Sequence, residues 1–247
     1  MAGTVRRDGR RPDQLRSVRL TPDYIQNPLA SVLCEMGNTM VLCTVSEDDS
    51  VPRFLKGSGR GWITAEYSML PGSTDTRNDR ESVRGRLSGR TMEIQRLIGR
   101  SQRAVANLAA LGERTLYIDC DVLQADGGTR CASITGAHVA LAIGVERILR
   151  RGDLASNPLD DAVAAVSVGV VDGQVVLDLP YEEDSRADVD MNLVATGSGR
   201  FVEVQGTGEE ATFTPEELAA MTSLGLAGIA DLVAAQREAI ARAAGAA

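Results

Sequence analysis

The chain has 247 residues, 43% hydrophobic and 24% charged, a balance that excludes a disordered or fibrous protein and fits a globular one. It contains no run of about 18 apolar residues, and no apolar stretch follows its arginine-rich start, so neither a membrane span nor a secretory signal is expected. The formal net charge of −8 argues against a polyanionic partner, but the charge is divided: residues 1–104 carry 17 Lys and Arg against 12 Asp and Glu, and residues 105–247 carry 9 against 22.

Residues 15–70 read as strands, with Ser31–Glu35 and Thr39–Val45 joined by a hairpin signal at Met36-Gly37-Asn38. Gly57–Gly61 is glycine-rich, but no helix follows it, so it reads as a loop. Residues 71–86 hold Gly, Ser, Asp and Arg without apolar periodicity and read as an exposed, mobile loop. From Ser88 to Leu111, Met92, Leu97, Ile98, Val105 and Leu108 recur at helical spacing, with Gly112 as the stop. Thr115–Gln124 alternates as a strand, Asp126-Gly127-Gly128 is a turn, and Ser133–Arg151 is a second helix. Asp172-Gly173 and Gly197-Ser198-Gly199 each join a pair of strands: Val163–Val171 with Gln174–Leu179, and Val189–Thr196 with Arg200–Gln205. The last helix opens on Thr214-Pro215-Glu216-Glu217, a capping box, and runs to about Arg242. The order predicts one α+β domain over residues 1–247, with mixed sheets packed against helices.

Three constellations could carry chemistry. Ala125–Ser133 is a glycine turn feeding a helix, which suits an anion because backbone N–H groups and the helix dipole converge there. It lacks the Gly-Lys-Ser/Thr ending of a nucleotide-binding P-loop, and an ordinary strand-to-helix turn has the same pattern. Asp178, Glu182, Glu183, Asp184, Asp188 and Asp190 place six acids within thirteen residues. Such carboxylates can hold Mg²⁺ or Mn²⁺, or can simply be a solvated turn. Asp188 and Asp190, two apart on a strand, share a face, and Val189 and Met191 take the other. Arg77, Arg80, Arg84, Arg86, Arg90, Arg96, Arg100 and Arg103 put eight cations against three acids over residues 77–103. They suit a nucleic-acid backbone or a solvated surface. With eight aromatic residues in the chain, contacts to RNA are expected to be mostly electrostatic. His138 is the sole histidine and sits in an apolar helix, so a Ser-His-Asp triad and a histidine-rich zinc site both fit poorly. The four cysteines form no CxxC pair and read as buried free thiols in a reducing cytoplasm.

Several longer stretches then resemble one family. Gly61-Trp62-Ile63-Thr64-Ala65-Glu66-Tyr67, Gly89–Ile98, the Gln124–Arg130 turn, Glu182–Ser185, Asp190-Met191-Asn192, Thr196–Arg200 and Glu203–Thr207 together resemble bacterial RNase PH, in order and spacing, over about residues 6–240. The resemblance implies a domain with βαβ units in a hexameric ring, a trimer of dimers. It also implies phosphorolysis, in which inorganic phosphate releases nucleoside diphosphates from the 3′ ends of transfer RNA precursors and of ribosomal RNA. By the same resemblance Arg90, Gly128, Thr129 and Arg130 bind phosphate, with Ser133 as a further hydroxyl. Asp184 and Asp190 hold Mg²⁺ or Mn²⁺ and are catalytic, Asp184 as general acid. Arg77, Arg80, Arg84 and Arg86 guide the RNA. Cys131 stands where the family commonly has Thr, a change that could bring oxidant sensitivity. A hydrolytic nuclease, a non-catalytic RNA-binding ring subunit and a metal-dependent phosphatase are the competing expectations.

Overall fold

The structure is a computed structural model that describes residues 6–208 and 211–245, with the side chain of Arg84 outside the described set. Two sheets form its frame. The first contains β1 (Val18–Pro22), β2 (Ala30–Met36), β3 (Thr39–Asp48), β4 (Trp62–Met69) and β5 (Thr115–Gln124), in the order β1-β2-β3-β5-β4. Its pairs are antiparallel except β4 with β5, which run parallel. Parallel neighbours need a crossover, and α2 (Gly89–Arg103) supplies it, giving one βαβ unit. The second sheet, β7-β6-β8-β9, is antiparallel throughout. It comprises β6 (Val163–Val171), β7 (Gln174–Leu177), β8 (Val189–Thr196) and β9 (Phe201–Gly208).

Between the sheets lies α4 (Thr129–Arg151), which packs on β2 and β3 on one side and on β6 on the other. It is apolar nearly all round, as a helix enclosed by two layers must be. Gly136 makes the close approach possible: a Cβ there would fall 2.6 Å from Cys34 Cβ and 2.8 Å from Cys43 Sγ. The last helix, α6 (Pro215–Gly245), covers the second sheet and reaches β1 and α4. Its capping box forms, with Glu217 N–H donating to Thr214 Oγ1 at 3.1 Å and Thr214 N–H to Glu217 Oε2 at 2.7 Å. Both α4 and α6 are long and apolar enough to cross a membrane by length and composition, which the search for an unbroken apolar run did not reveal. In α4 that apolarity is internal, since 78% of its most apolar stretch is buried.

The helix expected over Ser88–Leu111 is two. The first, α2, ends at Arg103, and a separate turn, α3 (Leu108–Leu111), starts at Asn107, whose side chain accepts from the Ala109 and Ala110 amides. Met92, assigned to the buried face, is 46% exposed. Inside the expected loop 71–86 a short helix, α1 (Glu81–Arg84), has formed. The second helix begins at Thr129, four residues before the expected Ser133. All four cysteines are free and buried. His138 is buried and hydrogen-bonded to Gln102 at 3.2 Å; burial lowers its pKa to about 4, so it is neutral at pH 7 and serves packing.

Candidate active site

The glycine turn is fixed from three directions. Thr39 Oγ1 donates to Gly127 O at 2.7 Å and accepts from the Asp126 N–H at 2.9 Å. Arg16 Nη1 donates to the Asp126 carbonyl. The Tyr181 N–H donates to Asp126 Oδ1 at 3.2 Å. Gly127 (φ +72°) lies so near the Leu179–Tyr181 backbone that a Cβ would meet Leu179 O at 2.6 Å. The phosphate turn and the acidic segment, more than fifty residues apart, are therefore packed against each other.

Gly128 is the left-handed N-cap of α4, and no side chain caps that end. The first-turn amides and the dipole of a 23-residue helix thus point out of the turn. Thr129 Oγ1 shares a 2.9 Å hydrogen bond with Tyr67 OH of β4. Burial raises the Tyr67 pKa, and it is opposed by the Thr129 bond and by the charges of Arg90 and Arg130. Of the expected phosphate ligands, Thr129 thus meets this phenol directly and Arg90 lines one cavity with it. Arg90 is in the first turn of α2, exposed, and lines a cavity of about 760 Å³ with Tyr67, Arg80 and Arg86. Arg130 is held from two sides, by Glu93 Oε1 at 3.4 Å and by Gln205 Oε1 of β9. Ser133 does not join them, because its hydroxyl donates back to Thr129 O at 2.8 Å.

The second sheet meets this helix end in register. On β8, Val189 and Met191 are buried in the core, and Asp190 and Asn192 alternate to the other face. Asn192 stands opposite Gln205 of β9. These two partners receive consecutive residues of α4: Gln205 holds Arg130, and Asn192 Oδ1 lies 3.4 Å from Cys131 Sγ. Asn192 Nδ2 in turn donates to Asp190 Oδ2 at 3.4 Å. Asp190 is thereby joined to the first turn of α4 through Asn192 and Cys131. Asp184 is the last residue of α5 (Tyr181–Asp184), the helix that begins where the chain touches Gly127.

Half of the acidic run is spent on scaffolding. Asp178, 1% exposed, accepts from the Arg16 amide at 2.8 Å and from its Nη2 at 2.6 Å. Glu183 is clasped by Arg6, and Glu182 pairs with Arg7 at the surface. Arg6 and Arg10 also donate to the Asp178 carbonyl, each at 3.1 Å. Asp178, Glu182 and Glu183 are thus the acids of the run that these N-terminal arginines engage. Of the arginines expected to guide RNA, Arg80 and Arg86 line the cavity with Arg90, and Arg77 is exposed and paired with Asp79 at 3.0 Å. Arg84 falls in α1, with its side chain outside the described residues. Reading the sequence missed Tyr67, Asn192 and Gln205, and the scaffolding role of Arg6, Arg10 and Arg16. Tyr67, Asn192 and Gln205 each lie in a stretch that carries the family resemblance, and the dense arginines of the N-terminus were the visible signal for the other three.

The expected oxidant sensitivity of Cys131 finds no support. The residue is 1% exposed, and burial, opposed by Arg130, pushes the thiol up to about 12, so it stays protonated and unreactive near neutral pH. Cys131→Thr is expected to retain activity within about twofold, because a hydroxyl can donate to Asn192 as the thiol does. A large loss in kcat would show that the position needs sulfur.

A helix start left uncapped by any side chain, with Asp190 linked to it through Asn192 and Cys131, is an arrangement suited to phosphoryl transfer. The chain belongs to the 3′ exoribonuclease (RNase PH) family, whose domain 1 matches residues 14–144 and whose domain 2 matches residues 161–228. It is 57% identical over 235 residues to ribonuclease PH of Bacillus subtilis, covering 95% of this chain and 96% of that one. It is 60% identical over 240 residues to ribonuclease PH of Corynebacterium diphtheriae, covering 97% and 99%. Its fold matches rice Rrp46 with a TM-score of 0.77 at 20% identity, over 95% of this chain and 100% of the other. It also matches an Archaeoglobus fulgidus exosome with RNA bound to the active site, with a TM-score of 0.76 at 22% identity, over 92% and 91%.

Proposed function

We propose that this protein is a phosphate-dependent 3′→5′ exoribonuclease that trims the 3′ ends of transfer RNA precursors, with the reaction centred on the first turn of α4. The reading is carried by Thr129 bonded to Tyr67, which shares a cavity with Arg90, and by Arg130 bonded to Gln205 on the strand paired with the one bearing Asp190. Inorganic phosphate is already an anion and needs no strong base. It must be held against an RNA of like charge, and two guanidinium groups with a helix N-terminus offset that repulsion. A phosphate oxygen bonds to the phosphorus of the last phosphodiester, the bond from phosphorus to the upstream 3′-oxygen breaks, and that oxygen takes a proton. The released product is a nucleoside 5′-diphosphate. Asp184 is our candidate donor of that proton.

Asp184 and Asp190 are also our candidate ligands for a divalent cation. Their donor set fits Mg²⁺ or Mn²⁺: hard carboxylate oxygens, with no thiolate or imidazole. Among the described residues no group of three or more His, Cys, Asp or Glu is assembled for a metal. That suits an ion bound through one or two carboxylates, with water and substrate phosphate completing its shell. Such an ion, when bound, supplies charge neutralisation at the transferred phosphoryl group and the leaving oxygen.

Product analysis tests the reaction. A transfer RNA with extra 3′ nucleotides, Mg²⁺ and the protein should release diphosphates when phosphate is present and nothing without it. Monophosphates appearing regardless of phosphate would make the enzyme a hydrolase. Arg90→Ala should raise the KM for phosphate about ten- to a hundredfold, the worth of one charge-assisted hydrogen bond, with kcat largely recovered at saturating phosphate. A defect unchanged by added phosphate would remove Arg90 from the phosphate site.

The assembly we propose is a homo-hexamer, a trimer of dimers, checked by light scattering against a 26.2 kDa protomer. Each protomer is read as a single domain, a reading supported by one apolar core that includes residues of both sheets. Four free cysteines suit a cytoplasmic location.

A further inference from the structure

The glycine-rich segment Gly57–Gly61 takes no part in the site above. A single 3₁₀ turn, Arg53–Leu55, precedes it, and together they carry Arg53, Lys56 and Arg60, all exposed. Among the described residues no acidic side chain forms an ion pair with any of the three. The carboxylate nearest in contact, Glu113, accepts instead from the Gly59 amide at 2.9 Å. Phe54, next in sequence to Arg53 and two residues from Lys56, is 72% exposed.

Phe54 is nonetheless held in place. Its ring meets Trp62 in a T-shaped contact, with centroids 5.4 Å apart and planes at 89°. The Arg103 guanidinium lies 4.4 Å from the Trp62 centroid and donates to Ile63 O at 2.7 Å. Gly99 clears the space for it, since a Cβ there would come within 2.9 Å of Arg103 Nη1. At the base of the loop the Gly61 N–H donates to Leu108 O at 2.8 Å, and a Cβ on Gly61 would strike Gly112 O at 2.4 Å. A cation and two rings in series therefore present one aromatic side chain to solvent, in a segment that also exposes Arg53, Lys56 and Arg60.

The helix α2 joins this patch to the reaction centre. Arg90 lies in its first turn and Arg103 is its last residue, about 20 Å apart at 1.5 Å per residue. Arg96 and Arg100 are exposed between them, Arg100 paired with Glu203. A protein partner would favour a broader apolar area than one phenylalanine among cations. An unpaired nucleotide matches both features at once, a π face for the ring and a phosphate for the cations.

We propose that Phe54, with Arg53, Lys56 and Arg60 around it, is a second RNA-binding surface that holds the substrate about 20 Å upstream of the cleaved bond, one base stacked on the ring and phosphates on the cations. The term upstream rests on reading the α4 turn as the phosphorolytic site. The surface raises affinity for long RNA and leaves the chemistry to the α4 turn.

Fluorescence anisotropy with a labelled, 3′-extended transfer RNA and with a trinucleotide tests this. Phe54→Ala should weaken binding of the long RNA about tenfold, the usual effect of losing one stacked base. Phe54→Tyr should restore it. Replacing Arg53, Lys56 and Arg60 together by alanine should lower the slope of log affinity against log salt by about two. The trinucleotide is too short to reach the patch, so the defect should be confined to the long RNA, in binding and in KM. Equal affinity of Phe54→Ala and the unmodified protein for the long RNA overturns the proposal. So does a changed mass by light scattering with RNA affinity unaltered, which would make the patch a contact between copies of this chain. If the unmodified protein shows no phosphorolysis while its RNA binding still depends on Phe54, the α4 reading fails and the RNA surface stands.

Discussion

Asp184→Asn and Asp190→Asn are each expected to lower kcat for phosphorolysis by about a thousandfold or more. The size follows from the several kcal/mol that a correctly held divalent cation contributes to a phosphoryl transition state, at 1.36 kcal/mol per decade. Asparagine keeps the shape and removes the charge, so the fold and the hydrogen bond from Asn192 to position 190 should survive. Two further readouts separate this role from a structural one. Binding of Mn²⁺, followed by electron paramagnetic resonance, should weaken in both variants. Affinity for RNA, measured by anisotropy without phosphate, should change by less than about threefold, because the proposed RNA contacts are arginines rather than these two acids. Loss of RNA binding together with a lowered melting temperature would instead assign these two acids to folding.

The opposite pattern is expected at Asp178. Removing one member of a buried ion pair leaves the other charge uncompensated, which typically costs about 3–5 kcal/mol. Asp178→Ala would strand Arg16, whose amide, Nε and Nη2 all donate to that carboxylate. The melting temperature should fall by about 6–20 °C, at roughly 2–4 °C per kcal/mol for a domain of this size. The pH dependence has a definite sign. Burial raises the Asp178 pKa, but the charge and hydrogen bonds of Arg16, with Arg10 beyond, outweigh it and hold the carboxyl below 3.8. A depressed native pKa stabilises the fold above the unfolded value, and that contribution is lost as pH falls through the native one. The stability gap between the unmodified protein and Asp178→Ala should therefore narrow as pH drops below about 4. A gap that stays constant to low pH would mean that Asp178 acts by packing alone.

How far the sequence disclosed this depended on distance along the chain. The strand Thr115–Gln124, the hairpins at Gly37, Gly173 and Gly199, and the capping box at Thr214 were legible because their determinants lie within a few residues of one another. The break after Arg103 was hidden, because Asn107 both starts a new turn and donates its amide to Pro158 O, a contact no local pattern announces. The start of α4 was read late because no side chain caps it. In the acidic run, strand alternation separated Asp190 from Val189 and Met191. Nothing nearby could reveal that Asp178 and Glu183 belong to arginines at the other end of the chain. The candidate phosphate residues came from the glycine turn and the family resemblance, and Tyr67 lay inside a resembling stretch, but its bond to Thr129, sixty-two positions on, had no local sign.

The clasp between the N-terminus and the acidic segment has a consequence in time. Arg6 and Glu183 are separated by 177 positions and Arg16 and Asp178 by 162. At a synthesis rate of roughly 5–20 residues per second, about ten to thirty seconds pass between the emergence of the arginines and that of their carboxylates. Until then Arg6, Arg10 and Arg16 cannot be buried at acceptable cost, the turn that Arg16 steadies is unsupported, and β8 with Asp190 has yet to be made. A nascent chain cannot assemble the cutting centre while most of it is still being translated, so a degrader of RNA is made on the ribosome in a form unable to act on the messages and transfer RNAs around it.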